Sequence, residues 1–172
     1  MARIVRSIVR IIDRLTGFVG NLGAWLVVPL FSVMVYEVVA RFLFDLPTFW
    51  AYELAYMMTG AHFVLGIALV MRSGQHIRID FIHAHLPPRL RAGIDLVVYV
   101  CFLLPVVWWM AWRLAVVALE AVVVGEVSGE SGWNPVIWPL RSVVALGFAL
   151  FGLQILAEII KTARIVLGRG SA

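Results

Sequence analysis

The sequence predicts an all-α integral membrane protein with four transmembrane helices. Hydrophobic residues make up 63% of the 172 residues and charged residues only 14%, a composition far from that of soluble domains. Apolar stretches lie at about residues 18–44, 50–71, 95–124 and 137–160, and each supplies the roughly 20 residues that a helix needs to cross a bilayer. None shows the alternating pattern of a membrane β-barrel. We therefore expect one transmembrane domain over residues 1–172.

Basic residues predict the orientation of these four spans. Arginine and lysine cluster in the N-terminal segment, in the link after the second span and in the C-terminal tail, whereas the other two links carry Asp45, Glu126 and Glu130 and no basic residue. Because basic loops stay on the cytoplasmic side, both termini are expected in the cytoplasm. This asymmetry and anionic lipid account for the net charge of +4, so membrane lipids are expected partners and nucleic acid is not.

The N-terminal segment has the pattern of an amphipathic helix over residues 2–16. Arg3, Arg6, Arg10 and Arg14 share one helical face, and isoleucine, valine and leucine side chains occupy the other. Such a helix lies in the headgroup plane of the membrane. The alternative interpretation is a basic segment that merely leads into the first span, which Pro29 is expected to bend.

Charged residues inside the spans are the first place to look for function, because a charge in hydrocarbon is costly. Six of them are expected in the outer half of the membrane, where they predict a structural network and not a proton or ion path. Arg41 lies one helical turn after Glu37, and Arg41 with Glu53 is the expected pair between helices. The set comprises Glu37, Arg41, Glu53, Arg113, Glu120 and Arg141.

No reaction centre is visible in the sequence. A haem needs two axial ligands at matched depth, yet His62 is the only histidine within a span. Asp80, His83 and His85 lie on a segment that imposes no metal geometry, and no serine is accompanied by a histidine and a carboxylate at one depth. With Cys101 as the single cysteine, we expect no catalytic, cofactor-binding or metal-binding residues and no enzymatic activity.

A series of short motifs then becomes specific in combination. The chain carries VVARFLF, Trp50 and Glu53 spaced as WxxE, Gly60 and Ala61, RSGQHIRIDF, LPPRLR, ESGWNP, WPL and GFALFGLQILAE in this order. The series resembles the small membrane subunit of tripartite ATP-independent periplasmic (TRAP) transporters, the DctQ family, over nearly the whole chain.

The resemblance implies a scaffold subunit in the inner membrane of a bacterium or archaeon. In such systems a periplasmic binding protein delivers an organic acid or related solute, and a large membrane subunit moves it with an ion gradient, generally sodium. The small subunit would bind no cofactor or substrate. Its expected structural or subunit-contact residues are the motif positions Arg41, Trp50, Glu53, Gly74, His76, Asp80 and Pro87, together with Glu37, Arg113 and Arg141 from the charge pattern.

Two other classes remain open from the residues alone. A stand-alone four-span exporter could use Glu37 or Glu53 for proton coupling, although Arg41 beside Glu37 and the long links are unfavourable to it. A membrane enzyme such as a quinone-linked redox protein is the other.

Overall fold

A computed structural model describes residues 2–74 and 87–168. In these ranges the chain is helical, and a π-helical turn, Tyr99–Leu103, joins the fourth helix to the fifth. In the described part of the chain, β pairing is limited to an isolated bridge between Val127 and Val136. The all-α prediction is confirmed. The helices are α1 (Ala2–Trp25), α2 (Val27–Leu43), α3 (Ala51–Arg72), α4 (Pro88–Val98), α5 (Leu104–Val124) and α6 (Trp138–Val166).

Four helical segments of the described chain are long and apolar enough to cross a membrane, as predicted. They are Ile4–Leu43, Ala51–Arg72, Arg89–Val124 and Trp138–Val166. Most of their large apolar side chains point away from the bundle, as expected for helices surrounded by lipid or by another membrane protein. The side of the membrane that holds the termini stays a prediction from the basic residues.

The first segment is divided later than expected. Helix α1 continues through the boundary predicted between residues 16 and 18 and ends at Trp25, and α2 begins at Val27. Pro29, which has no backbone N–H, lies in the first turn of α2, where a proline is tolerated. The 40 residues of Ile4–Leu43 correspond to about 60 Å of helix, twice a hydrocarbon core. The interfacial position of residues 2–16 stays a prediction.

A row of glycines lets α1 pack directly on the backbone of α3. Gly17, Gly20 and Gly23 are spaced by three residues, and all three are buried. A Cβ atom added to Gly20 would lie 2.6 Å from Cβ of Leu69, and one added to Gly23 would lie 2.8 Å from Cβ of Leu65. At Gly20 and Gly23 no larger residue fits without moving the helices, so this is a small-residue interface of the kind common in membranes.

Helix α6 is the centre of the bundle. It packs against α1, α3, α4 and α5, and its Ile155, Gln154 and Ala157 are completely buried. Gly147 faces Val64 of α3, and a Cβ added to Gly152 would lie 3.5 Å from the Trp108 ring of α5. The main buried cluster contains Ala68, Met71, Tyr99, Val107, Phe151 and Ile155.

The link between α5 and α6 is an ordered hairpin. Gly125 ends α5 in the left-handed conformation with φ of 66°, which glycine adopts without steric cost. The Ser128 amide donates to the Pro135 carbonyl at 2.9 Å, and the Gly129 amide donates to Asn134 Oδ1 at 2.7 Å. These bonds place the Ser128 side chain over the first turn of α3.

Candidate subunit-contact sites

Glu37 and Arg41 form the predicted pair within one helix. The Arg41 Nε atom donates to Glu37 Oε1 at 3.0 Å, and Arg41 Nη2 contacts the same oxygen. Glu37 Oε2 accepts hydrogen bonds from the Thr48 amide at 3.1 Å and from the Thr48 hydroxyl. The carboxylate therefore ties the end of α2 to the turn that precedes α3. Trp50 supports this turn by stacking on Tyr36, with ring centroids 5.7 Å apart.

The expected pair of Arg41 and Glu53 is wrong. Glu53 points into the bundle with 2% of its surface exposed, and its Oε2 atom accepts a hydrogen bond from Ser128 Oγ at 2.6 Å. Glu53 Oε1 has no hydrogen-bond partner among the described residues. Arg41 points outward, with 55% of its side chain exposed. Arg41 pairs with Glu37 because the two residues are one turn apart in the same helix. That pairing does not depend on how two helices face each other, whereas a pair with Glu53 does.

Arg141 is held by the hairpin between α5 and α6, at the end of the bundle that is predicted to be the outer one. Its Nη1 and Nη2 atoms donate to Glu126 Oε2 and Oε1, both at 2.5 Å, in a two-pronged arrangement. This geometry is the strongest that an arginine makes with a carboxylate. Within the described ranges the outer charges thus form separate local sets around Glu37, Glu53 and Glu126, and not the single network expected.

Arg113 and Glu120 lie apart from these sets, on the exposed surface of α5. Neither makes a hydrogen bond or ion pair with another residue in the described part of the chain. Arg113 is one and a half turns outward of Trp108, which faces Gly152 of α6. Arg113 lies about 7.5 Å from Trp108 along the axis of α5. Because α6 runs in the opposite direction, Arg113 is level with Gly147, five residues before Gly152. Arg113 is therefore near mid-depth of the bundle, deeper than the outer-half position expected for it.

A polar cluster at the other end of the bundle was not predicted. Asp13 of α1 accepts hydrogen bonds from Gln154 Nε2 at 2.9 Å and from Lys161 Nζ at 2.8 Å. Glu158 accepts from the same two donors at 2.9 and 2.8 Å. The sequence signal was the spacing of Gln154, Glu158 and Lys161, which places all three on one face of α6. The cluster fastens α1 to α6.

The motif positions after the second span are only partly described. Gly74 follows the C-terminal end of α3 with φ of 68°, a conformation that favours glycine. The carbonyl of Pro87 accepts the amides of Leu90 and Arg91 at 3.0 and 3.1 Å and so opens α4. His76 and Asp80, and also His83 and His85, lie outside the described residues.

Comparison with known proteins identifies the family. The sequence profile of the tripartite ATP-independent periplasmic transporters, DctQ component, matches residues 30–165. The chain belongs to the DctQ family. It is therefore a multi-pass membrane component of a TRAP transporter, and the matched range covers nearly all of α2 to α6 with every outer charge described above. The whole of α1, including Asp13, precedes it.

A curated relative agrees with this family. The DctQ chain is 30% identical over 87 residues to the sialic acid TRAP transporter permease protein SiaT of Haemophilus influenzae (strain 86-028NP). The similar region is 48% of this chain and 14% of the relative. The chain thus spans a small part of the length of that protein.

Proposed function

We propose that this DctQ component is a non-enzymatic scaffold that supports the large membrane subunit of a TRAP transporter. It would lie in the inner membrane of a bacterium or archaeon with both termini in the cytoplasm. A periplasmic binding protein would deliver an organic acid or related solute, and the large subunit would move it with an ion gradient, generally sodium. This chain would bind neither the solute nor a cofactor.

The observation that carries this proposal is the placement of buried polar groups. In the described ranges these are Glu53 at the outer end and Thr16, Gln154 and Thr162 at the inner end. Between them the buried positions are apolar side chains or glycine, such as Ala68, Ala145, Gly147 and Phe151. A path for an ion or a charged solute needs polar groups through the middle of the bundle, and this packed apolar centre favours a supporting role.

His62, a half-buried polar residue of α3, has a structural partner. His62 Nδ1 lies 2.8 Å from the Gly23 carbonyl oxygen. Because a carbonyl only accepts, the ring nitrogen carries the proton in this contact. The bond holds α3 to α1 just before the chain passes from α1 to α2 at Leu26. This arrangement favours a fixed helix contact over proton transfer.

The alternative of a stand-alone exporter finds no support. Glu37, one of its two candidate carboxylates, is occupied by Arg41 and Thr48. Glu53, the other, is enclosed beneath the outer hairpin and bonded to Ser128. Neither carboxylate continues into a chain of polar residues across the described bundle.

Reconstitution tests the proposal directly. A tagged DctQ chain is expected to co-purify with a much larger membrane subunit expressed from a neighbouring reading frame. Proteoliposomes with both subunits and the binding protein are expected to take up a member of a panel of radiolabelled organic acids, sialic acid included, under a sodium gradient. Proteoliposomes with the DctQ chain alone are expected to show no uptake. Uptake by the chain alone, or purification without any larger subunit, would refute the scaffold role.

A further inference from the structure

One face of α5 carries opposite charges that no described residue neutralises. Trp109, Arg113 and Glu120 follow each other at intervals of four and seven residues, so their side chains leave the helix in nearly the same direction. Trp109 is 65% exposed, and Arg113 and Glu120 are also exposed. Two helical turns separate the two charges, about 10 Å along the axis. We call Trp109, Arg113 and Glu120 the α5 face.

Lipid is an unsuitable neighbour for this face. Arg113 lies near mid-depth of the bundle, eleven residues before the end of α5 at Val124, which is about 16 Å of helix. An arginine side chain bridges less than half of that distance when it extends toward the headgroups. In hydrocarbon such a charge is normally directed to protein or paired. The α5 face therefore needs a protein neighbour inside the membrane.

A second copy of this chain does not supply the missing charges. Two copies inserted with the same orientation would meet about an axis along the membrane normal, as in most symmetric dimers. Each residue would then face its own equivalent at the same depth, with Arg113 against Arg113 and Glu120 against Glu120. Like charges at short distance in a low-dielectric medium repel. The neighbour is a different membrane protein.

We infer that the α5 face is the docking site for a transmembrane helix of the large subunit that carries the reciprocal charges. This inference rests on the proposed function and specifies the contact. The partner helix presents a carboxylate near mid-depth, opposite Arg113, and a basic side chain about two turns toward the outer surface, opposite Glu120. The two residues are about seven positions apart in the partner sequence. Trp109 packs beside the charge pair, as tryptophan and arginine do at the centres of interfaces.

Substitution in the complete transporter tests the contact. Arg113→Leu and Glu120→Leu are each expected to reduce the large subunit retained by the tagged chain at least tenfold, because each leaves a partner charge unpaired. Arg113→Glu is expected to reduce retention of the large subunit further. Replacing the opposing acidic residue of the large subunit by Lys or Arg is expected to restore retention by the Arg113→Glu variant. Phe31→Leu alters a side chain that is 69% exposed on α2, away from the α5 face, and is the matched control.

Measurement of the isolated subunit separates docking from folding. Arg113→Leu removes an uncompensated charge from the exposed side of α5, so the melting temperature of the DctQ chain alone in detergent is expected to stay the same or rise. A lower melting temperature in that variant would overturn the inference, because it would show that Arg113 stabilises the chain itself.

Photo-cross-linking provides an independent readout. A benzophenone amino acid at position 109 is expected to trap the large subunit, and the same group at position 31 is not. Cross-links from position 109 to lipid alone or to a second DctQ chain would overturn the inference. Retention of the large subunit by wild type and by all α5 variants equally would overturn the α5 contact but leave the scaffold role intact. Failure of wild type to retain any large subunit would instead overturn the proposed function.

Discussion

Lys161 is predicted to be the main polar link between α1 and the rest of the bundle. Its ammonium group lies 2.8 Å from both Asp13 Oδ1 and Glu158 Oε1. Gln154 Nε2 donates to the same two oxygens. Replacing Lys161 by methionine keeps most of the aliphatic side chain but leaves two carboxylates that share one amide group. The variant should therefore be destabilised by both the loss of attraction and the repulsion between Asp13 and Glu158.

The magnitude follows from the exposure of the three side chains. Lys161 is 34% exposed, Asp13 22% and Glu158 17%, so the site is neither a surface pair nor a sealed one. An exposed pair contributes about 0.2–1 kcal/mol, and breaking a buried pair costs about 3–5 kcal/mol. After a discount for the solvent that reaches Lys161, we expect a loss of about 1–3 kcal/mol in the free energy of unfolding.

The assay is unfolding of the purified chain in detergent by increasing concentrations of sodium dodecyl sulfate. Unfolding is followed by far-ultraviolet circular dichroism, which reports helix content. Arg164→Met is the matched control, because Arg164 lies one turn later on α6. A double-mutant cycle with Asp13→Asn is expected to give a coupling of about 1 kcal/mol. A Lys161→Met variant as stable as the control, or additive effects in the cycle, would show that the geometry of this cluster contributes no stability.

Three further outcomes are expected. Gly20→Ala places a Cβ 2.6 Å from Cβ of Leu69 and should cost about 1–3 kcal/mol in the same unfolding assay. Gly66→Ala, where an added Cβ meets nothing within 4 Å, should be neutral or stabilising, and equal losses at the two sites would contradict the packing argument. Ser128→Ala removes the hydrogen-bond donor to Glu53 and should cost about 1–3 kcal/mol, whereas a loss below about 0.5 kcal/mol would contradict the role of this bond. Protease tags at both chain ends should be cut only in inside-out vesicles, and cleavage of either tag in right-side-out vesicles would reverse the predicted orientation.

Local patterns in the sequence predicted much of the fold. Apolar length was sufficient for the four spans, because the requirement to cross about 30 Å of hydrocarbon depends on composition and helix rise alone. The pair of Glu37 and Arg41 follows from a four-residue spacing on one helix, which the structure confirms. The division of the first segment near Pro29 is also visible in the sequence, although α1 extends further than the residue 16 expected.

Contacts between helices were beyond such patterns. Arg41 and Glu53 are at similar depth, yet a rotation of either helix by a quarter turn decides whether the side chains meet, and no local rule specifies that rotation. Asp13 and Lys161 are 148 positions apart, so their contact depends on the packing of the whole bundle. The depth of Arg113 was similarly misjudged, because it depends on how α5 is aligned against α6.

The glycine interface between α1 and α3 has a mechanical consequence. Because Gly17, Gly20 and Gly23 have no side chains to interlock with α3, the van der Waals attraction of the close packing opposes separation of the two helices more than it opposes sliding along their length. Axial registration is then left to directional bonds at either end of this smooth section: His62 with the Gly23 carbonyl, and Asp13 with Lys161. These two anchor points are ten residues apart on α1, about 15 Å, and cutting one would free the amphipathic N-terminal helix to shift lengthwise while it stays docked.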